Sequence, residues 1–137
     1  MFHLQTRVAN QSGSSVLFAL TAMLLLGLLG CGLIMLGSIE LSMATNYRDG
    51  IAALYLAEAG AKRALVELHY NPGWKPSNPY YEGSGSYSLK ITDGSPVTIE
   101  AIGTVHRSVR KVVLKVTIIS EAGSPVSSIT INSWNYH

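Results

Sequence analysis

Hydrophobic and polar positions divide the chain into three stretches with different periods. From Val16 to Ile39, 24 apolar, small or hydroxyl residues follow one another without a charge. That run matches the roughly 20 residues needed to cross a bilayer core and predicts a membrane helix. Through "IELSMATNYRDGIAALYLAEAGAKRALVEL", residues 39 to 68, the period becomes helical. Ile51, Leu54, Ala61, Leu65 and Leu68 fall near 3.6-residue spacing and predict one apolar stripe. Ala and Leu dominate, both good helix formers, and Glu58 and Lys62 stand four apart in the favourable order. The helix is expected to continue to about His69, giving about 56 residues from Ser14, or about 84 Å.

"NPGWKPSNPYYEGSGS", residues 71 to 86, carries three prolines and three glycines, which ends the helix and predicts a loop. The period then changes to two. Tyr87, Leu89 and Ile91 alternate with Ser88, Lys90 and Thr92. "DGSP" at Asp93 to Pro96 turns the chain. Val97, Ile99 and Ala101 alternate next, then Val112, Leu114, Val116 and Ile118. Three antiparallel strands with one buried face follow from this pattern, and a last strand is expected near Ile129 to Trp134. About 68 residues after the helix cannot build much of a core alone. The outer half of the helix is expected to supply the second layer, giving an α+β fold: a long N-terminal helix packed on a small antiparallel sheet.

Composition changes this picture little. The hydrophobic fraction of 47 % and the charged fraction of 13 % average an apolar N-terminal part with an alternating remainder. A net charge of +2 is too small to imply a polyanion partner by bulk electrostatics. Its distribution sets orientation. Residues 1 to 13 carry Arg7, the chain amine and no acid, whereas acids begin at Glu40. Positive charge marks the cytoplasmic side, so the N-terminus is expected inside and the bulk of the chain outside. "LLGCGLIML" around Cys31 raises the alternative of a lipoprotein anchored through that cysteine. The apolar run continues past Cys31, however, and Leu29 stands where a smaller residue is usual. Cys31 reads better as a soft apolar helix residue, and as the sole cysteine it makes no internal disulfide.

"NQSGSSVLFAL", a polar leader and a Gly before an unbroken apolar helix, has the layout of a type IV prepilin. The stretch from Gln11 to about Leu68, with "YLAEAGAKRAL" at Tyr55 to Leu65, resembles the N-terminal region of minor pilins of the PilX type. It is also similar to the K-type minor pseudopilins of type II secretion. "GSYSLKITDG", "AIGTV" and the basic strand after them resemble small pilin domains of the same family. The resemblance implies a pilin-like fold with residues 1–13 as leader, 14–39 as the membrane half of a stem, 40–69 as its amphipathic half, and 70–137 as a small sheet domain. It implies that a prepilin peptidase cuts after Gly13 and methylates the amine of Ser14. Gly13 between Ser12 and Ser14 disfavours helix there, as an accessible scissile bond requires. Phe18 stands at the fifth mature position, where major pilins carry a Glu that pairs with a neighbour's amine. Its absence fits a tip or initiating subunit, because a carboxylate in hydrocarbon is tolerated only when partnered.

The implied partners are other minor and major pilins, the peptidase, an inner-membrane assembly platform, and membrane lipid before assembly. The expected location is the inner or only membrane, then a pilus or pseudopilus at the cell surface. Gly27, Gly30, Gly32 and Gly37 in the membrane helix suit either close helix packing or a segment that unwinds on assembly, as stems of related filaments do. A membrane-anchored extracytoplasmic binding protein unrelated to filaments is the other reading.

No catalytic constellation is visible. His3, His69, His106 and His137 are scattered without a second ligand at metal spacing. Acids do not pair near a His or Ser. An enzyme is not expected, and no cofactor is implied. Two features could carry binding. "HRSVRK" places Arg107, Arg110 and Lys111 at a strand junction, where they could touch DNA or an acidic polysaccharide or stand as a solvated turn. Trp74, Tyr80 and Tyr81 lie in the loop after the helix, where they pack over the sheet edge or meet a partner.

Overall fold

The computed structural model describes the backbone of residues 6–120 and 127–137, and the side chains of that span from Gly13 onward except Ser120. Element order is α1 (Thr6–Tyr70), β1 (Tyr80–Glu82), β2 (Gly85–Thr92), β3 (Val97–Val105), β4 (Ser108–Ser120) and β5 (Ser127–Tyr136). The chain divides into two compact units, Met1–Met43 and Ala44–His137.

In the first unit the described side chains form an apolar helical surface with no cover. Leu17, Phe18, Met23, Leu24, Leu26, Leu33 and Ile34 are all exposed. Polar side chains there are satisfied by the helix itself. Thr21 Oγ1 donates to the Leu17 carbonyl at 2.6 Å, Ser38 Oγ to Ile34 at 3.0 Å and Ser42 Oγ to Ser38 at 3.0 Å. By length and composition this helix could cross a membrane.

The second unit is one helical layer on one sheet. The sheet has strand order β1-β2-β3-β4-β5, every neighbouring pair antiparallel. Alternation follows the sequence expectation: Tyr87, Leu89, Ile99, Ala101, Val112, Leu114 and Val116 are buried, with Ile91, Val97 and Ile118 packed beside them. The strand expected near Ile129 to Trp134 is β5. The sheet also has β1, which lies within the expected loop. Asn78 helps to build that edge, its Nδ2 donating to the Leu89 carbonyl at 2.5 Å and its Oδ1 accepting the Leu89 amide at 2.8 Å. At the other edge β5 carries no charged residue over its ten positions and bulges at Asn132, where the register on Lys115 and Val116 shifts.

The helix ends where the sequence says it should. Asn71 N donates to the Glu67 carbonyl at 2.8 Å, Pro72 follows, and the Asn71 side chain accepts the Gly73 amide at 3.1 Å.

Two helical expectations need correction. The buried line of α1 is Ala53, Ala57, Ala61, Ala64 and Leu68, with Leu54 and Leu65 only partly buried at its flanks and Ile51 half-buried. Small residues win the centre because the two backbones nearly touch. A β-carbon on Gly103 would meet the Ala53 carbonyl and stand 2.6 Å from Ala57 N. One on Gly60 would stand 2.7 Å from the Tyr87 ring. The close i,i+4 ion pair is Arg63–Glu67 at 3.8 Å rather than Glu58–Lys62. Glu58 lies beside Tyr136 instead. Desolvation, then that carboxylate, raises the Tyr136 phenol above its ordinary value.

Gly103→Ala is expected to cost about 1–3 kcal/mol, since the new methyl meets helix backbone rather than a movable side chain. Gly73→Ala, which would make only an ordinary contact at 3.6 Å with Asn71 Oδ1, should change stability by less than about 0.5 kcal/mol. Denaturant unfolding in detergent, followed by the near-ultraviolet dichroism of Trp74 and Trp134, compares them. Equal stability of the two variants would contradict the backbone contact.

Candidate functional site

The cleavage position expected from the sequence lies inside α1. The helix runs unbroken through Gly13, so the helix break expected there is absent. An isolated Gly costs only about 1 kcal/mol in a helix, and no proline precedes it to stop propagation from the apolar segment. Gly13 and Ser14 are exposed, and nothing lies within 4 Å of a β-carbon built on Gly13. Phe18 is 78 % exposed. Cys31 is exposed in mid-helix. Residues 1–5, His3 among them, lie outside the described residues.

A polar network forms where the second unit begins. Asp49 is 8 % exposed, an unusual place for a carboxylate. Its Oδ1 accepts Arg48 Nη2 at 3.1 Å and Nε at 3.3 Å. Its Oδ2 lies 3.0 Å from His106 Nδ1, which therefore carries the donated proton. His106 begins the two-residue turn between β3 and β4, with Val105 paired to Ser108. Its φ of 50° is in the left-handed region. The ring's bond to Asp49 holds a non-glycine residue in that conformation and ties the turn to α1. Next to it, the Arg110 guanidinium covers Gly50, its Nη2 3.2 Å from where a β-carbon would stand.

The three basic residues of "HRSVRK" therefore separate. Arg110 pairs with Gly103 and shares its helix-facing side of β4, whereas Lys111 pairs with Ile102 on the opposite side. Arg107 is exposed in the turn. Arg48, which joins Arg107 and Arg110 on this corner, was not singled out from the sequence. The signal was weak: an Arg–Asp step on an amphipathic helix, and an HR turn some 57 residues later.

The aromatic group separates too. Trp74 packs against the core, and Tyr80 stacks on Tyr87 with ring centroids 5.2 Å apart. Arg63 lies 4.3 Å above the Tyr80 ring and donates through Nη1 to the Tyr87 hydroxyl at 3.2 Å. That hydrogen bond raises the Arg63 guanidinium above its ordinary value, and the same bond holds the cation over the Tyr80 ring. Tyr81, on the other side of β1, is 83 % exposed and is the aromatic left for a partner.

His69 Nδ1 donates to the Ser127 carbonyl at 2.6 Å, pinning the end of α1 to the start of β5. His137 pairs its backbone with Lys111. Among the described residues no His, Cys, Asp or Glu group of three could hold a metal. No family model, curated protein or solved structure matches the chain.

The latch at Asp49 makes a separable pair of predictions. Asp49→Asn should cost about 1–3 kcal/mol by weakening charge-assisted bonds to a buried group. His106→Gly should be more stable than His106→Ala by about 1 kcal/mol, because glycine accepts positive φ. Thermal unfolding of the three variants checks this, and a double-mutant cycle of Asp49→Ala with His106→Ala that proved additive would contradict the bond.

Proposed function

We propose that the chain is a minor pilin-like structural subunit of a type IV pilus or type II secretion pseudopilus, acting in the tip or initiation complex that nucleates filament assembly. The observation that carries this reading is α1. Its N-terminal stretch presents an uncovered apolar surface with self-satisfied hydroxyls, and its C-terminal stretch is the second layer of a small antiparallel sheet. A stem combining both environments, with Gly13 and Ser14 directly ahead of the apolar run, is the layout of a pilin-like fold. In this reading the helix sits in the inner membrane with its N-terminus cytoplasmic until assembly. A prepilin peptidase removes the leader and methylates Ser14. An assembly platform and neighbouring pilins then take over the apolar surface. Tyr81 and Arg107 are the sequence-selected residues best placed to meet neighbours.

Phe18 sets the subunit's position in the filament. A filament's first subunit has nothing ahead of it for a Glu to neutralise, so an apolar residue there avoids an unpaired carboxylate in hydrocarbon.

Mass spectrometry of the mature N-terminus tests the reading. N-methylated Ser14 is the expected start, and Gly13→Val should leave uncut precursor in the membrane. A diacylated Cys31 would instead make the protein a lipoprotein, and an intact leader a simple membrane-anchored binding protein. Phe18→Glu should lower recruitment to filaments, with tagged wild-type protein counted at about one copy per filament end. Many copies along the shaft, increased by the substitution, would rule out the tip position. Burying the new carboxylate costs about 2.5–3.5 kcal/mol near mid-membrane and less toward the interface.

A further inference from the structure

β5 is an unguarded edge of the sheet. It lies last in the strand order, so one side of its backbone has no neighbouring strand. His137 and Lys111 exchange both backbone bonds, at 2.9 and 2.8 Å. Counting along β4 in twos from Lys111, Val113 faces Asn135, Lys115 faces Ser133 and Thr117 faces Thr130 in the same bonded phase. Tyr136, Trp134 and Ile129 therefore turn their N–H and C=O groups away from the sheet. An edge in this state invites another strand, and native sheets commonly block it with charge or proline. β5 has neither, whereas Glu82, Lys90, Glu100 and Lys111 mark the other four strands. The helix side of the edge is largely apolar as well. Leu65, Val66, His69 and Tyr70 of α1 line a groove of about 500 Å³ with Ile129 and Ile131.

Two features of β5 choose the strand that fits. The first is charge. An edge with ionic side chains selects a different partner by complementary charge, but against its own copy it sets like charges close together. An edge free of charge over ten residues suits self-pairing. The second is phase. Residues that stand opposite in an antiparallel pair must point to the same side of the sheet. A regular ten-residue strand centred on its own copy fails this, because its first and tenth residues point to opposite sides. The bulge at Asn132 corrects the phase. Ile129 and Ile131 pair with Ile118 and Val116, and Trp134 and Tyr136 with Leu114 and Val112, so all four share the helix side. A dyad between Ile131 and Asn132 then overlaps the whole strand. It sets Trp134 opposite the partner's Ile129 on the helix side, and Ser133 opposite the partner's Thr130 on the other. We propose that β5 pairs antiparallel with β5 of a second copy of this chain, joining two sheets into one with both helical layers on the same side. The outward backbone groups of Trp134 and Ile129 supply the bonds, and every contact is made twice. Ser133 Oγ, buried without a hydrogen-bond partner among the described residues, is set across from the partner's Thr130 hydroxyl. The exposed Tyr136 is brought opposite the partner's Ser127, at the His69 end of the groove. The pairing does not rest on the filament reading. A subunit used singly at a filament end would be held as this pair in the membrane and part on assembly.

The full chain with Cys31→Ser is prepared as two differently tagged variants, Thr130→Cys and Ser133→Cys, which are reconstituted together into phosphatidylcholine vesicles and mildly oxidised. Positions 130 and 133 face each other in a pair without direct backbone bonds, where side chains come closest and a disulfide can form. The mixture should give a mixed disulfide dimer. Either variant alone should give little, since like positions lie about 10 Å apart along the strands. Ile131→Lys in both copies, beside the dyad, should lower the mixed yield by up to about fivefold. Ile131→Lys in one copy with Ile131→Glu in the other should restore it, which separates repulsion from misfolding. Ser128→Cys with Asn135→Cys tests the same register if Ser133→Cys fails to fold. Equal yields from the mixture and from single variants overturn the inference, as does a yield indifferent to charge at position 131. So does the absence of the mixed disulfide in protein whose near-ultraviolet dichroism matches that of the unmodified chain. Adducts formed in cells between either cysteine and a different protein, without the 130–133 product, would give the edge to another partner and overturn self-pairing.

Discussion

The α1 backbone and the β3 backbone approach until Gly103 has no room for a β-carbon, and most of the sheet unit follows from that contact. Ala53, Ala57, Ala61 and Ala64 line the helix face because anything larger would hold the layers apart. Larger side chains are displaced to the flanks, where Leu54, Leu56 and Leu65 close the sides of the interface. The apolar bulk of the core comes from the sheet, through Leu89, Ile99, Val112, Leu114 and Val116. Such packing exchanges side-chain volume for proximity. It fixes the lateral position of helix on sheet more tightly than interdigitated leucines would, since backbone cannot change rotamer.

The charged corner depends on that placement. Gly50 lies just before Ala53, and only a residue without a side chain there lets Arg110 cross the helix. The same approach brings the β3–β4 turn to Asp49. A buried carboxylate without partners would be costly. Here both oxygens are used, one by a helix neighbour and one by a residue 57 positions away. Local strain at His106 and burial at Asp49 are therefore resolved by one bond.

Much of the fold was legible because its signals are periodic. The charge-free run, the alternation at Tyr87–Ile91 and Val112–Ile118, and the Asn71–Pro72–Gly73 stop each rest on a local rule. The central line of α1 was misread because a hydrophobicity pattern favours leucines, and alanines are ambiguous between face and flank. β1 was missed for a different reason: three residues give no alternation, and its edge is completed by the Asn78 side chain. Of the surface residues, Arg107 is exposed as a turn position implies, Tyr81 is exposed rather than packed over the sheet edge, and Tyr80 is locked under Arg63 by a contact between distant parts of the chain. Arg48 belongs to the same class. Its significance exists only after the hairpin has folded back on the helix.

Strand order in the sheet equals strand order in the chain. Each strand pairs with its immediate predecessor, so contacts within the sheet are short in sequence, and loop closure costs little as each strand is added. The helix is complete before β1 is made, since synthesis proceeds from the N-terminus. Its alanine face can therefore act as a template on which hairpins settle in order of emergence. No strand waits for a later one to sit between it and its neighbour. A ribosome or a translocation channel delivering this chain releases it in the sequence in which it can be assembled. The long-range closures, Asp49 with His106 and His69 with Ser127, then act as successive locks: the first engages once β3 has turned, and the second only when β5 arrives.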